Sequence, residues 1–486
     1  MRRTTRFALI CHLLGLLLIL FGLTLLVPLA ISLIDRDGAG PALALGFLIT
    51  TACGGALWVP SRGARTELRT RDGFVIATLF WVVLGGFGAL PLLLVPEPQL
   101  DLSNALFESV SGLTTTGATV IDALDTLPRS VLYYRQQLQW LGGIGTIVIA
   151  IAILPLLGVG GMQLYQAETP GAMKSNKLTP RILGTAGQLF LIYLALTACC
   201  ALAYWLAGMD VFDAVAHSFS TVSVGGFSTH DANLGHFDNP LIVVISIVFM
   251  VLAALNFALH YLCWRQRSLR FYASDPEARF FLTVIAVLSV LTAATLLGAG
   301  SHGPADGVLQ GVFHVVSVVT TTGFTTGHFL DWPAFAPLLL LLFACMGGCS
   351  GSTAGGIKAV RMLLIGKQGL RELRQLVHPR AVLPVRLGSR TIPDRVIIAV
   401  WSFLAVYVLT FLVILFALLL AKLDFLTAFS AVAATLNNLG PGLGEVALHY
   451  FDMEAPVKWL LCLSMLLGRL EIFTLLVLFT PAFWRD

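Results

Sequence analysis

The chain has 486 residues, 57% of them hydrophobic and 12% charged, with a mean hydropathy of +0.87. No water-soluble fold of that length buries so much apolar surface internally, which leaves an all-α protein crossing a bilayer many times. The formal net charge of +4 is small, but it hides a strong polarity between the two faces.

In chain order, apolar stretches near 7–34, 42–60, 74–95, 131–157, 183–208, 240–263, 280–300, 334–357, 395–421 and 456–480 are each about 18 residues or longer. Each is enough for a tilted helix across a ~30 Å hydrocarbon core, so ten spans are expected. The first follows Arg2, Arg3 and Arg6. Its apolar core is too long for a signal peptide and no small-residue cleavage site follows, so it should remain as a helix. With that span starting inside, the cytoplasmic segments are 1–6, 61–73, 158–182, 264–279, 358–394 and the last few residues. Together with Arg395 at a helix edge they hold 24 of the 30 Lys and Arg. Both termini are then cytoplasmic. The outer segments hold only Arg36, Arg129, Arg135, Lys422 and Lys458 against 17 acids, a negative face that concentrates cations. The eight cysteines lie nearly all inside apolar segments without C-x-x-C spacing and read as small packing residues. No low-complexity linker divides the chain, which therefore reads as one integral domain.

A repeat organises these spans. Aligned on one glycine, the chain carries "TTTGAT" at Gly117, "SVGGFST" at Gly226, "TTTGFTT" at Gly323 and "NNLGPGLG" at Gly440, separated by 109, 97 and 117 residues. Upstream of each lies a semi-polar segment too short to span: "LSNALFESVSGL", "VFDAVAHSFSTV", "GVLQGVFHVVSV" and "FLTAFSAVAATL". Asp101, Asp210 and Asp424 precede their glycines by 16 residues and Asp306 by 17, a placement suited to the positive N-terminal end of a short helix. Each unit thus reads spanning helix, half-membrane helix, Gly-centred loop, spanning helix. The expected organisation is an N-terminal helix pair at 1–60, repeats at 74–160, 183–265, 280–362 and 395–486, and a cytoplasmic basic segment at 363–394.

Irregular backbone at membrane depth is tolerated only where it is buried in protein or lines water. Four such loops entering from outside fit a ring around one axis. Glycine permits backbone angles that aim carbonyl oxygens inward, and four loops doing so replace the hydration shell of a dehydrated cation. Potassium is the favoured guest, because flexible carbonyl rings suit a larger, weakly hydrated ion. The alternative reading, that each T-T-T-G stretch is a kink or packing feature, does not explain four copies in register.

The four loops, with "QWLGGIGTIVIAIAILPLLGVGG" (139–161), "GGCSGSTAGGIK" (347–358) and "GRLEIFTLLVLFTPAFW" (468–484), resemble the Trk/Ktr/HKT superfamily of potassium uptake proteins, and within it the bacterial TrkH-type subunits. The resemblance implies four helix–pore loop–helix units forming a pseudo-fourfold pore in one subunit of the bacterial inner membrane, with subunits paired as homodimers. It puts the filter carbonyls at Thr115, Thr116 and Gly117; Val224, Gly225 and Gly226; Thr321, Thr322 and Gly323; and Asn438, Leu439 and Gly440. Family members with serine at the first aligned glycine tend to conduct sodium, so glycine at all four positions implies a preference for potassium. The fourth loop departs most, with Asn437, Asn438 and Pro441 in place of threonines; the Asn side chains either coordinate or brace.

The segment "GGCSGSTAGGIK" has five glycines in twelve residues where a continuous eighth span would run, so it should break. It is not a phosphate-binding loop, because Ile357 separates the last glycine from Lys358. Below the third filter, such a segment is placed to obstruct the pore, and the resemblance makes it the intramembrane gate: Gly347, Gly348, Ser350, Gly351, Ser352, Thr353, Gly355, Gly356 and Lys358. The plainer alternative is a helix end with Lys358 as a headgroup anchor. Arg469, the only basic residue deep in a span, is expected in the conduction path as a fixed positive barrier, or else paired with an acid or helix carbonyls. Glu471, two residues on, points elsewhere and is a poor partner for it. Glu108 reads as a buried bracing group in preference to a vestibule cation attractor.

The basic segment sits on anionic lipid headgroups by default, and the resemblance adds docking of a cytosolic nucleotide-binding regulatory subunit of the TrkA type. Potassium is the transported ion; no organic cofactor, nucleotide or nucleic acid is expected on this chain. A proton- or sodium-coupled transporter would want a midplane carboxylate, for which Glu471 is the only candidate. An enzyme would need clustered His, Asp or Glu at one face, whereas the ten histidines are scattered, and His217 and His314 occupy equivalent, structural positions in two short helices.

Overall fold

The computed structural model describes residues 2–63, 70–152, 179–300, 303–327 and 332–485. Among them regular structure is almost entirely helical; the one sheet is a minimal hairpin pairing Arg386–Leu387 with Arg390–Thr391. The N-terminal pair forms from Arg2–Thr24, continued by Leu26–Asp35, and the returning helix Gly40–Ser61. These two cross closely because glycines meet there. A Cβ on Gly15 would lie 2.7 Å from the Gly54 oxygen, and one on Gly54 would lie 2.9 Å from the Gly15 oxygen. Lipid supplies no hydrophobic drive between helices, so such close backbone packing stands in for it.

Asp37, in the turn of this pair, clasps it to the first repeat. Its carboxylate accepts from Ser32, from the Ala39 amide at 3.1 Å and from the Ser130 amide at 3.1 Å. Partial burial pushes the carboxyl up, but the hydrogen bonds from Ser130, Ser32 and Ala39 outweigh it and hold it below the ordinary carboxylate value.

Four units follow, each a long helix, a short one and a further helix after the loop, which in the third unit is only the 10-residue Phe335–Ala344. The short helices are Leu102–Leu113, Val211–Ser223, Pro304–Val319 and Phe425–Leu436, of 12, 13, 16 and 12 residues. At 1.5 Å per residue they reach roughly 18–24 Å, short of a ~30 Å core. Asp101, Asp210 and Asp424 are their N-caps, accepting from the amides of Asn104 (2.8 Å), Asp213 (2.7 Å) and Thr427 (3.0 Å). Asp306 is not a cap. Its extra residue of separation moves it into the first helical turn, and Gly303 takes the cap position.

The units close into a ring. The second long helix of the first unit, Arg129–Ala152, packs on the second short helix; Pro240–Ala254 packs on the third, Phe335–Ala344 on the fourth, and Ala455–Arg469 back on the first. The short helices are thereby enclosed, and their hydroxyls at Ser109, Ser111, Ser218, Ser220, Thr221, Ser317 and Ser430 are fully buried.

By length and apolarity, 6 helices of the described residues qualify as membrane spans, or up to 8 if each bent pair is one span. The expected spans 240–263 and 456–480 are both broken, Pro240–Ala254 meeting Phe257–Gln266 at 98° and Ala455–Arg469 meeting Phe473–Phe479 at 107°. The expected span 334–357 is helical only over Phe335–Ala344, stopping where its glycines begin. The end of the span 131–157, the rest of the motif to residue 161 and most of the connector 158–182 lie outside the described residues.

Candidate ion-conduction site

Each short helix ends in a backbone reversal with the same signature. Thr115, Val224, Thr321 and Asn438 have φ of 51°, 60°, 63° and 55°, and two residues later Gly117, Gly226, Gly323 and Gly440 have φ of 83°, 80°, 82° and 97°. Two left-handed residues flanking one ordinary residue turn the chain out of its helix. The glycines also touch one another's loops in sequence. A Cβ on Gly117 would stand 2.1 Å from the Gly225 oxygen, on Gly226 2.0 Å from that of Thr322, on Gly323 2.1 Å from that of Leu439, and on Gly440 2.6 Å from that of Thr116. The contact therefore runs from first loop to second, third, fourth and back to first, always from the aligned glycine to the residue preceding the next one. Among the described residues, only three of the twelve expected filter oxygens accept a hydrogen bond: Gly225 from Gln139 at 2.6 Å, Gly226 from Asn233 at 3.3 Å and Gly440 from Tyr450 at 2.9 Å. Buried backbone oxygens are nearly always paired, so a ring left this way is built to be completed by water or a cation.

Side chains around the loops brace them. Thr114 meets Thr116 at 2.8 Å and Thr320 meets Thr322 at 2.7 Å, the same pairing in the first and third loops. In the fourth, Asn437 accepts from the Tyr407 hydroxyl at 3.0 Å and donates to the Ala433 oxygen at 2.7 Å, while Asn438 donates to the Thr116 hydroxyl at 2.9 Å and to the Met465 oxygen at 3.0 Å. Both Asn side chains are engaged by protein. Glu108 is a brace too: it accepts from Arg135 at 2.7 Å, the Val120 amide at 2.9 Å and Thr119 at 3.0 Å, fully buried. Arg135, counted as an outer-face charge in the sequence, is instead buried, and it also donates to the Ser228 oxygen at 3.1 Å just past the second filter loop. His217 and His314 each bond the carbonyl four residues back, at 2.9 and 3.0 Å, which is the equivalence their alignment implied.

The segment 347–358 is folded beneath this ring. The Thr353 hydroxyl donates to the Val222 oxygen at 3.1 Å, the Gly355 amide donates to the Thr321 hydroxyl at 2.7 Å, and the Gly356 amide donates to the Asn437 oxygen at 3.1 Å. Gly355 is needed, since a Cβ there would stand 2.1 Å from the Asn437 oxygen. The connection to the first loop is Arg469, which donates to the Thr353 oxygen at 3.0 Å and to the Thr115 hydroxyl at 2.5 Å. Three residues of the segment, with Arg469, thus tie it to all four units. The same segment fills the break at residue 255: Cys349 donates to the Ala254 oxygen at 2.8 Å, and the Phe257 amide donates to the Gly351 oxygen at 3.1 Å. Its remaining members hold the fold-back, with Gly347 and Gly356 in contact, Gly348 against Ala254, and Ser352 donating to the Cys349 oxygen at 2.6 Å.

Its ends are held by charge. Glu277 accepts from the amides of Ser350 at 2.7 Å and Val360 at 3.1 Å, and Glu471 pairs with Arg361. Lys358, φ 84°, turns back to the Ala354 oxygen and is not a headgroup anchor. Arg469 is not within a continuous helix: it ends one, and Glu471 and Ile472 follow with positive φ of 52° and 55°.

A family model described as TrkH, cation transport protein, matches residues 39–485. The chain belongs to the TrkH family. It is 53% identical over 476 residues to the Trk system potassium uptake protein TrkH of Halomonas elongata, covering 98% of this chain and 99% of that one. It is 52% identical over 481 residues to the protein of the same name in Escherichia coli (strain K12), at 99% and 100% coverage. A solved structure, the potassium transporter TrkH from Vibrio parahaemolyticus, superposes with a TM-score of 0.93 at 50% identity, covering 99% of this chain and 100% of that one.

Membership of the TrkH family makes this a membrane transport protein and not an enzyme. Several residues that hold the loops and segment 347–358 escaped sequence reasoning: Arg135, Gln139, Glu277, Arg361 and Tyr407. Gln139 had a signal, since a glutamine inside an apolar span seeks a partner. Glu277 and Arg361 had none, because their partners lie 73 and 110 residues away.

Proposed function

We propose that this protein takes up potassium across the bacterial inner membrane through a single central pore, with ten spans, both termini cytoplasmic and four re-entrant loops forming the filter. The relatives' names, Trk system potassium uptake protein, support the ion and the process. The observation carrying the reading is the closed ring in which each aligned glycine abuts the oxygen before the next, with most filter oxygens unpaired among the described residues. Those oxygens coordinate the dehydrated ion, and the C-terminal ends of the short helices add negative potential. Segment 347–358 is the gate, held shut by its bonds to all four units, and Arg469 is both its latch and a positive barrier. Subunits pair as homodimers, and a nucleotide-binding cytosolic subunit docks on the basic segment after the gate.

A coupled transporter is less well supported, because its candidate carboxylate, Glu471, is engaged by Arg361. The deciding measurement is rubidium-86 uptake into proteoliposomes under an imposed voltage. Uptake that persists without proton or sodium gradients is expected; uptake abolished by removing either one establishes coupling instead.

A further inference from the structure

Not all of the histidines that look scattered along the sequence stand apart in space. His230 and His236, from the connector after the second filter loop, stack with ring centroids 3.5 Å apart and planes at 2°. Asp125, from the connector after the first, reaches His230 Nδ1 at 2.6 Å, and Asp213 reaches Nε2 at 3.1 Å. One ligand atom each from Asp125, His230 and His236 lies within 4.8 Å of the others, with Asp125 and His236 open to solvent. Asp231 fixes the first connector by accepting from the Leu124 amide at 2.8 Å and the Asp125 amide at 3.3 Å. Among the described residues the His236 imidazole makes no hydrogen bond, only ring contacts with His230 and Phe237.

We infer that Asp125, His230 and His236 form an outward-facing site for a divalent transition-metal ion of the zinc class, joining the first and second outer connectors. Two imidazoles and a carboxylate are the donor set such ions take as three protein ligands with a fourth, open position for water. Potassium, magnesium and calcium prefer all-oxygen sets, so this site does not serve the transported ion. On bonds of about 2.0–2.2 Å, ligand atoms stand roughly 3.4 Å apart, so the Asp125–His230 pair, now at 2.6 Å, must open and His236 must turn to meet it. Rotation of exposed His236 off the stack supplies that movement. The segment bearing both histidines also touches the filter: Asn233 donates to the Gly226 oxygen at 3.3 Å, and the Leu234 amide donates to the Thr325 oxygen at 3.1 Å. A bound ion therefore braces the outer edge of the second and third loops.

The site is tested by calorimetric titration of zinc into the purified full-length protein without a polyhistidine tag, a readout independent of ion conduction. Saturable binding of one ion per chain is expected, weakened at least tenfold in His236→Ala and in Asp125→Asn, unchanged in His378→Ala, and insensitive to excess magnesium. Both primary substitutions are at exposed side chains, and circular dichroism checks that each variant retains its helices. Absence of saturable binding overturns the proposal, as does wild-type affinity in either folded variant.

Discussion

At the residue scale, position in the ring explains what each side chain can be. Gly323 is constrained twice, by φ of 82° and by the Leu439 oxygen 2.1 Å from where a Cβ would stand. Strain of the first kind alone costs about 1–3 kcal/mol, and the collision must be relieved by displacing the fourth loop. Gly323→Ala is therefore expected to abolish potassium-selective uptake in protein that still reaches the membrane; sodium competition against rubidium-86 uptake measures it, and wild-type selectivity would contradict the ring. Arg469→Ala removes the proposed barrier charge and the bond to Thr353 together, so flux should rise several-fold in the same assay. Unchanged flux in folded protein would leave Arg469 as packing alone. Glycine recurrence made the first site legible. The partners of Arg469 were not, because Thr115 and Thr353 lie 354 and 116 residues away in sequence.

At the element scale, the short helices follow from local chemistry and the long ones from context. Asp101, Asp210 and Asp424 satisfy orphan amides as N-caps, and losing such a cap costs about 0.5–2 kcal/mol. Asp424→Ala should lower the thermal midpoint measurably, while Asp306→Ala, lacking the cap bond, should change it little; equal shifts would count against the assignment. Segment 347–358 shows the reverse dependence. Its glycines predict that the helix stops, but not where the chain goes next. That route depends on amides and oxygens offered by Ala254, Phe257, Thr321 and Asn437, none of them neighbours in sequence. Deleting 350–355 is expected to raise the resting leak of potassium in proteoliposomes; a tight deletion variant would make the segment scaffolding. The bends at 98° and 107° were likewise invisible to hydropathy, which registers how apolar a stretch is and not whether its backbone is continuous.

At the scale of the whole molecule, a chain of net charge +4 divides its charge between faces, with 17 acids assigned to the outer segments. An acidic mouth raises local cation concentration and therefore the capture rate, an effect screened within a Debye length. At potassium well below saturation, raising inert choline chloride from about 0.01 M to about 0.15 M should slow initial uptake, because the screening length falls from roughly 30 Å to 8 Å. An unchanged rate would put the acids in structural roles. Arg135 already illustrates that possibility from the basic side, since it is sealed against Glu108 and contributes nothing to the outer potential.

The amino-acid sequence by itself determined that the chain lives in a bilayer, that it repeats four times, and where each repeat leaves its helix. Those properties are local: apolar run length, a capping aspartate and a glycine depend on residues close in the chain. Tertiary structure alone decided the cyclic order of the loops, the seating of segment 347–358 beneath them and the gathering of Asp125, His230 and His236. Each of these depends on groups from different repeats meeting in space, and hydrogen bonds between residues 34 to more than 100 apart leave no period in the sequence.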